Sequence, residues 1–207
     1  MTSSQTTPPQ ARDRIYRSPA GIAGGVVLIL IGAWMGGDAV AYGDGRTPWT
    51  VLAGLLFVVP LVVAFTIRPA VFGNEERLRL RNPFRDVSLP WSAVSGFKSG
   101  YSNEVVDEAG TKYQLWSIPV SLRGRRKVQR QQMRAAKGGR TATGASGLPV
   151  TEQRSTGDQA MDELRELHEA HAEAETTQGA TKVRWAYEII APALVGAVIL
   201  VALLALG

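Results

Sequence analysis

The chain has 207 residues, of which 23 are Lys or Arg and 18 are Asp or Glu, so its formal net charge is +5 at pH 7. It contains no cysteine, which excludes disulfides and thiolate metal sites formed by this sequence. The hydrophobic residues, 45% of the total, are concentrated in three charge-free blocks at residues 18–37, 47–67 and 189–207. Each block can cross a hydrocarbon core of about 30 Å as a helix, so the composition predicts three transmembrane helices.

The N-terminal part combines a short polar arm with the first apolar block. Residues 1–17 are predicted to be a disordered basic N-terminus, and residues 18–37 the first transmembrane helix. An alternative interpretation makes this block a cleaved signal peptide, because small residues stand at Ala39-Val40-Ala41. Either interpretation leaves residues 38–46 as a short loop outside the cell.

Four glycines of the first block share one helical face: Gly21, Gly25, Gly32 and Gly36. At about 100° per residue their positions fall within roughly 60° of one another, and they form two GxxxG units. Such a face lets another helix approach closely. The spacing does not identify the partner, which is either this protein's own second or third helix or a second copy in a homodimer through the first helix.

The second and third blocks predict transmembrane helices at residues 47–67 and 185–207, with Trp49, Trp185 and Tyr187 at their boundaries. Basic residues flank the blocks unequally: Arg12, Arg14 and Arg17 precede the first, Arg68, Arg77, Arg79, Arg81 and Arg85 follow the second, and Lys182 and Arg184 precede the third. Cytoplasmic flanks collect Lys and Arg, so the N-terminus and residues 68–184 are predicted to be cytoplasmic and the C-terminus outside. The charge-free spans favour anchors over a transport path.

Between the second and third blocks, residues 68–120 show the alternation of short β-strands. In RLRLR, at residues 77–81, leucines and arginines fall on opposite faces, as expected of a half-buried strand. Asn82-Pro83 predicts a turn, and two further strands follow in DVSLPW and SAVSGFKSGYS. The run EVVDEAGTKYQLWSIP predicts a hairpin, with the whole closing toward a small antiparallel barrel.

The runs RLRLRNPFRDVSLPWSAVSGF and DEAGTKYQLWSIP resemble the bacterial PH-like domain of actinobacterial membrane proteins, the family named after low molecular weight protein antigen 6. The resemblance covers roughly residues 15 to 120. That family typically places two transmembrane helices before the domain, and the resemblance implies a PH-like fold, an open β barrel closed at one end by a helix. Together with the three predicted spans, this leads us to expect an α+β membrane protein in which three transmembrane helices carry a small cytoplasmic PH-like antiparallel β barrel plus a helix. The resemblance implies no catalytic residues. The basic stretch after the last strand and the third span depart from the family pattern.

Aromatic side chains are spread through the predicted PH-like region. We expect Trp91, Phe97, Tyr113 and Trp116, with Leu115, to form the core or rim of the barrel, because aromatic residues dominate small cores.

Residues 121–150 form a basic, Gly-rich segment and linker without any acidic residue. Its cations are candidate lipid-binding residues: Arg123, Arg125, Arg126, Lys127, Arg130, Arg134, Lys137 and Arg140. Anionic lipid attracts such residues by about 1 kcal/mol each near a membrane surface. Nucleic acid is the weaker alternative, because no aromatic residues are interleaved for base stacking.

Residues 151–184 are predicted to be an acidic amphipathic helix, with Met161, Leu164, Leu167 and His168 on one stripe. This helix is expected either to close the barrel or to lead as a stalk into the third span. Its acidic residues could also pair with the basic segment.

The candidate motifs for catalysis and metal binding lack the residue spacing that these sites require. His168 and His171 stand in HEAH, which lacks the i,i+4 spacing of a zinc helix, and KGGRTATGASG lacks the GK[ST] of a phosphate-binding loop. We therefore expect no cofactor and no enzymatic activity. The sequence predicts a non-catalytic, multi-pass membrane protein whose PH-like domain recruits or scaffolds an unknown protein partner. The alternative is an anionic-lipid sensor that uses residues 123–140 together with the strand arginines.

Overall fold

The computed structural model describes residues 13–120 and 156–206, which form a helical bundle and an α+β domain. Three helices are long and apolar enough to cross a membrane: α1 (Pro19–Tyr42), α2 (Thr47–Val62, continued by a π-helical turn at Val63–Ile67) and the C-terminal helix α4 (Tyr187–Ala205). Helix α3 (Thr156–His171) belongs to the domain.

Helix α1 is longer than the predicted span 18–37. Its N-terminus is capped by Ser18, whose hydroxyl oxygen accepts a hydrogen bond from the Gly21 amide at 3.2 Å. At the other end it runs past Asp38 to Tyr42. An exposed acidic residue in the last turns does not end a helix. The predicted boundary before Asp38 therefore lies short of the observed end of α1.

Helix α2 is the centre of the bundle and contacts both α1 and α4. Gly196 of α4 lies against the α2 backbone, so that a Cβ there would fall 2.6 Å from the Leu56 carbonyl carbon and 2.9 Å from Phe57 Cα. Ala53 and Ala193 are buried as well. Small residues therefore let the two helices approach closely.

The larger sheet ties all three helices to the domain. Its strand order is β1 (Arg14–Tyr16), β2 (Ala70–Gly73), β3 (Arg77–Arg81), β4 (Arg85–Pro90) and β8 (Lys182–Trp185), and all neighbouring pairs are antiparallel. β1 precedes α1, β2 follows α2, and β8 precedes α4. The adjoining ends of the three helices thus lie at the same domain.

Two sequence predictions are wrong at this sheet. Residues 14–16 are not part of a disordered arm, because β1 pairs with β2 over three residues. The helix predicted over residues 151–184 ends at His171, and residues 182–185 form the edge strand β8. Both strands are short and find their partners far along the chain, so local pattern does not specify them.

The smaller sheet contains β5 (Val94–Ser99), β6 (Asn103–Asp107) and β7 (Lys112–Gln114). The predicted hairpin at residues 104–116 is confirmed by the antiparallel pairing of β6 with β7. The predicted closed barrel is not formed by the described strands, which make two separate sheets.

The core of the domain lies between the two sheets and α3. Leu78 and Leu80 point inward from β3 while its arginines are exposed, as the alternation predicts. Met161 and Leu164 of α3 are buried in the same core. The acidic helix therefore packs against the sheets as a structural part of the domain, and this excludes the stalk alternative.

Tyr16 joins the edge strand to α3. Its hydroxyl donates a hydrogen bond to Glu163 Oε2 at 2.6 Å, and its ring packs against the core. Burial, followed by the hydrogen bond and charge of Glu163, raises the pKa of Tyr16 well above its ordinary value.

Candidate functional site

An ion cluster stands where the bundle meets the domain. Arg68, immediately after the π turn, donates from Nη2 to both carboxylate oxygens of Asp86 at 3.0 and 3.1 Å, and its Nη1 lies 3.1 Å from Glu188. Its Nε donates to the Asn82 carbonyl at 3.3 Å. These bonds join α2, β4 and the start of α4. Only 11% of the Arg68 side chain is exposed, compared with 32% for Asp86 and 48% for Glu188.

The π turn at the end of α2 orients this arginine. The Arg68 amide donates to the Val63 carbonyl at 2.8 Å, five residues back, and Thr66 Oγ1 donates to the Val62 carbonyl at 2.6 Å. A turn of this type widens the helix locally and is frequent at functional positions.

Beside the ion cluster lies a cleft of about 540 Å³, which we call the junction cleft. Phe65 of the π turn makes edge-on contacts with Phe84 at 5.3 Å and with Trp116 at 5.6 Å between ring centroids. Trp185 of β8 completes the aromatic lining, and Arg85, Lys112 and Glu104 supply charges around it. Trp116 and Trp185 are 43% and 52% exposed.

Arg85, one of the residues that line the junction cleft, also contacts a buried tyrosine behind it. The Arg85 guanidinium lies 5.7 Å from the centroid of the Tyr113 ring, a cation–π distance. The Tyr113 hydroxyl donates to Asp107 at 3.3 Å. Burial, with the nearby Asp107 carboxylate, raises the pKa of Tyr113.

A second feature is the outer face of the five-stranded sheet, which we call the basic face. Two rows of cross-strand neighbours form it: Arg81, Asp86 and Arg184 in the row next to the ion cluster, and Phe72, Arg79, Ser88 and Lys182 in the following row. They line a depression of about 280 Å³. The strand arginines were apparent in the sequence, whereas Lys182 and Arg184 were interpreted only as a membrane flank.

The predicted aromatic residues divide between core and surface. Trp91 is fully buried and donates from Nε1 to the Asn74 carbonyl at 2.8 Å; Tyr113 is buried, and Phe97 packs partly buried against the core. Trp116 lies outside this core, because it turns toward Phe65 of α2.

The glycine face of α1 contacts α2. A Cβ at Gly25 would lie 2.8 Å from Thr66 Cβ, and one at Gly32 would lie 3.1 Å from Leu55 Cδ2; Gly21 and Gly36 also face these two residues. The eight basic residues between Arg123 and Arg140 lie outside the described part of the chain.

His168 lies partly buried, on the side of α3 that faces the core. Its Nε2 lies 2.8 Å from the Val94 carbonyl oxygen, and its ring lies beside Trp91 and Phe97. His171 Nδ1 lies 3.0 Å from the Leu167 carbonyl. Within residues 13–120 and 156–206, no group of three or more His, Asp or Glu side chains is arranged to hold a metal ion.

A family model described as bacterial PH domain matches residues 68–143. Neither the curated proteins nor the solved structures contain a match to the chain. The match includes strands β2 to β7. The domain also contains β1, α3 and β8, which lie outside the matched residues. PH domains are generally non-catalytic. The matched strands and the three apolar helices together show that this chain carries a bacterial PH domain beside helices that could span a membrane.

Proposed function

We propose that this chain is a non-catalytic, multi-pass membrane protein that holds its PH domain at the cytoplasmic face of the membrane, where the domain recruits a protein partner. The observation that carries the proposal is the ion cluster around Arg68, which fixes the domain to the helices through Asp86 and Glu188. A domain fixed in this way presents the same surfaces to the cytoplasm at all times.

The distribution of charge supports the cytoplasmic placement. Lys182 and Arg184 of β8 precede α4, and Arg68 follows α2, whereas the loop between α1 and α2 has one basic residue, Arg46, beside Asp44. Basic flanks are retained on the cytoplasmic side during insertion. Since β1, β2 and β8 share one sheet, the flanks of all three helices are retained together.

The junction cleft is the surface where we place the partner. It combines exposed indole rings with charged groups at its edge, and Trp and Arg residues dominate binding energy at protein interfaces. Phe84 and Phe65 contact each other at the base of the cleft, so its shape is set before a partner arrives. We expect an apolar side chain of the partner to contact Trp116 and Trp185, which both line the cleft.

Site-specific photo-crosslinking in native membranes tests this proposal. A benzophenone amino acid replaces Trp116 in the cleft or, as the control, Tyr101 in the fully exposed turn between β5 and β6. We expect an adduct from position 116 that is absent from position 101. Protease treatment should reduce the mass of the adduct, which identifies the crosslinked molecule as a protein. An adduct only to lipid at position 116, or equal protein adducts from both positions, would contradict recruitment through the cleft.

A further inference from the structure

We propose that the basic face binds the phosphate of an anionic phospholipid headgroup, as a site distinct from the junction cleft. The inference requires that the domain lie beside a membrane, as in the proposed function, but it does not require a protein partner. Arg81 and Lys182 are the residues on which it depends most.

The geometry brings cations from two separated strands together. Arg79 and Arg81 of β3 lie on the outer face of the sheet, and β4 separates them from Lys182 and Arg184 of β8. Cross-strand registers place Arg81 in line with Arg184 and Arg79 in line with Lys182. Four basic side chains therefore surround one depression, although residues 79–81 and 182–184 are far apart in sequence.

Phe72 holds two of these cations over a single ring. The guanidinium carbons of Arg79 and Arg81 lie 5.3 and 5.5 Å from its ring centroid. Cation–π attraction stabilises each arginine in this position but does not neutralise its charge. Arg79 is also paired with Asp13, whereas Arg81 keeps an uncompensated charge that can attract an anion to this side of the depression.

Two of the four cations, Arg79 and Arg184, already have acidic partners. Asp86 accepts two hydrogen bonds from Arg68 and lies 3.9 Å from Arg184. Arg184 also lies 3.6 Å from Glu188, and its side chain is 74% exposed. Arg79 pairs with Asp13. Among the described residues, neither Arg81 nor Lys182 has an acidic partner within ion-pair distance, so these two retain their full charge for a ligand.

The position of the face favours a lipid over other anions. Arg184 precedes the first residue of α4, Tyr187, by three positions, and the row containing Lys182 lies about 7 Å farther along the strand. Both rows are therefore within a Debye length of a membrane surface, where anionic headgroups are concentrated. A single guanidinium group can donate two parallel hydrogen bonds to a phosphate, and Arg81 has no acidic partner among the described residues that would compete for them.

The test uses the full chain in nanodiscs of phosphatidylcholine with or without phosphatidylglycerol. Native mass spectrometry measures the lipid retained by the wild type, by Arg81→Gln/Lys182→Gln, and by the charge-matched control Arg77→Gln/Lys98→Gln. Arg77 is paired with Glu76 outside the depression, and Lys98 is on the other sheet. We expect the first variant to lose on the order of tenfold in phosphatidylglycerol retention relative to the control.

Two further variants separate this site from its alternatives. Replacement of the eight basic residues between Arg123 and Arg140 by glutamine should leave a specific phosphatidylglycerol component that Arg81→Gln/Lys182→Gln then removes. The charge-preserving Arg81→Lys/Lys182→Arg should retain most of the binding. Equal retention by Arg81→Gln/Lys182→Gln and its control would overturn the proposal. So would binding of poly-glutamate to the face without any preference for phosphatidylglycerol, which would indicate an acidic protein ligand.

The lipid assay and the crosslinking assay fail independently. The nanodisc contains no partner protein and carries the same lipids on both sides, so its outcome depends neither on recruitment through the junction cleft nor on the direction of insertion. A negative lipid result with a positive adduct at position 116 leaves the proposed function intact.

Discussion

Arg68 Nη2 lies 3.0 and 3.1 Å from the two carboxylate oxygens of Asp86, so one nitrogen at the end of α2 holds the beginning of β4. Arg68 also reaches Glu188 at the beginning of α4. Separation of helix and sheet here would break both hydrogen bonds to Asp86 and expose the largely buried Arg68 side chain. The orientation of the PH domain relative to the bundle therefore depends on this contact.

The first prediction concerns the ion pair. Asp86→Asn should lower the free energy of unfolding by about 1–2 kcal/mol, because charge-assisted hydrogen bonds to a largely buried arginine are lost. Thermal unfolding of the full chain in detergent, followed by tryptophan fluorescence, measures the loss. Glu76→Gln is the control, since the Arg77–Glu76 pair is 49% and 45% exposed and should contribute less than about 0.5 kcal/mol. Equal effects of the two variants would contradict the fixed orientation.

The second prediction concerns the contact between α2 and α4. In Gly196→Ala the new methyl group meets the backbone at Leu56 and Phe57, which cannot rotate away as a side chain can. We expect a loss of about 1–3 kcal/mol in resistance to denaturation by sodium dodecyl sulfate, as for other overpacked sites. Gly54→Ala is the matched control, because no described atom lies within 4 Å of a Cβ at that position. A neutral Gly196→Ala would mean that the two helices are farther apart than described.

The third prediction links the edge strand to pH. Tyr16→Phe removes the hydrogen bond to Glu163 and should cost about 1 kcal/mol near neutral pH. The raised pKa of Tyr16 means that the folded protein keeps the phenol proton at a pH where the unfolded chain releases it. This contribution to stability is complete below about pH 10 and decreases as the pH rises further. As the pH rises from about 10 to 11, the wild type should therefore lose more stability than Tyr16→Phe in parallel denaturation curves. An equal loss of stability in the wild type and in Tyr16→Phe over this pH range would show that the ionisation of Tyr16 is not linked to folding.

The fourth prediction tests whether α3 is a structural part of the domain. Leu164→Ala removes a fully buried side chain and should cost about 2–5 kcal/mol. Glu169→Ala, on the exposed side of the same helix, should change stability by less than about 0.5 kcal/mol. Proteolysis within residues 68–120 provides the measurement, because loss of the helix exposes the sheets. An unchanged digestion rate for Leu164→Ala would show that α3 is dispensable.

Elements with strong local patterns could be predicted from the sequence. The alternation of RLRLR gave β3 and its buried leucines, and the hairpin at residues 104–116 followed from its turn residues. The three apolar blocks correspond to helices that could span a membrane, because twenty uncharged residues leave few other structures available.

Elements that depend on distant partners could not be predicted from the sequence. KVRW, which forms β8, has the same alternation of basic and apolar residues as RLRLR. Basic residues followed by a tryptophan are, however, equally typical of the flank of a transmembrane helix. Only its pairing with β4 brings Lys182 beside Ser88 and creates the basic face. The junction cleft likewise requires Phe65 of the membrane block to meet Phe84 and Trp116, which no local pattern predicts.

The cytoplasmic placement of the PH domain is the central claim, and cysteine labelling tests it most directly because the chain has no cysteine of its own. Asp44→Cys lies in the loop between α1 and α2, and Glu108→Cys lies at the exposed turn between β6 and β7. A membrane-impermeant maleimide applied to intact cells should label position 44, and should label position 108 only after permeabilisation. Labelling of position 108 in intact cells, with position 44 protected, would contradict the arrangement.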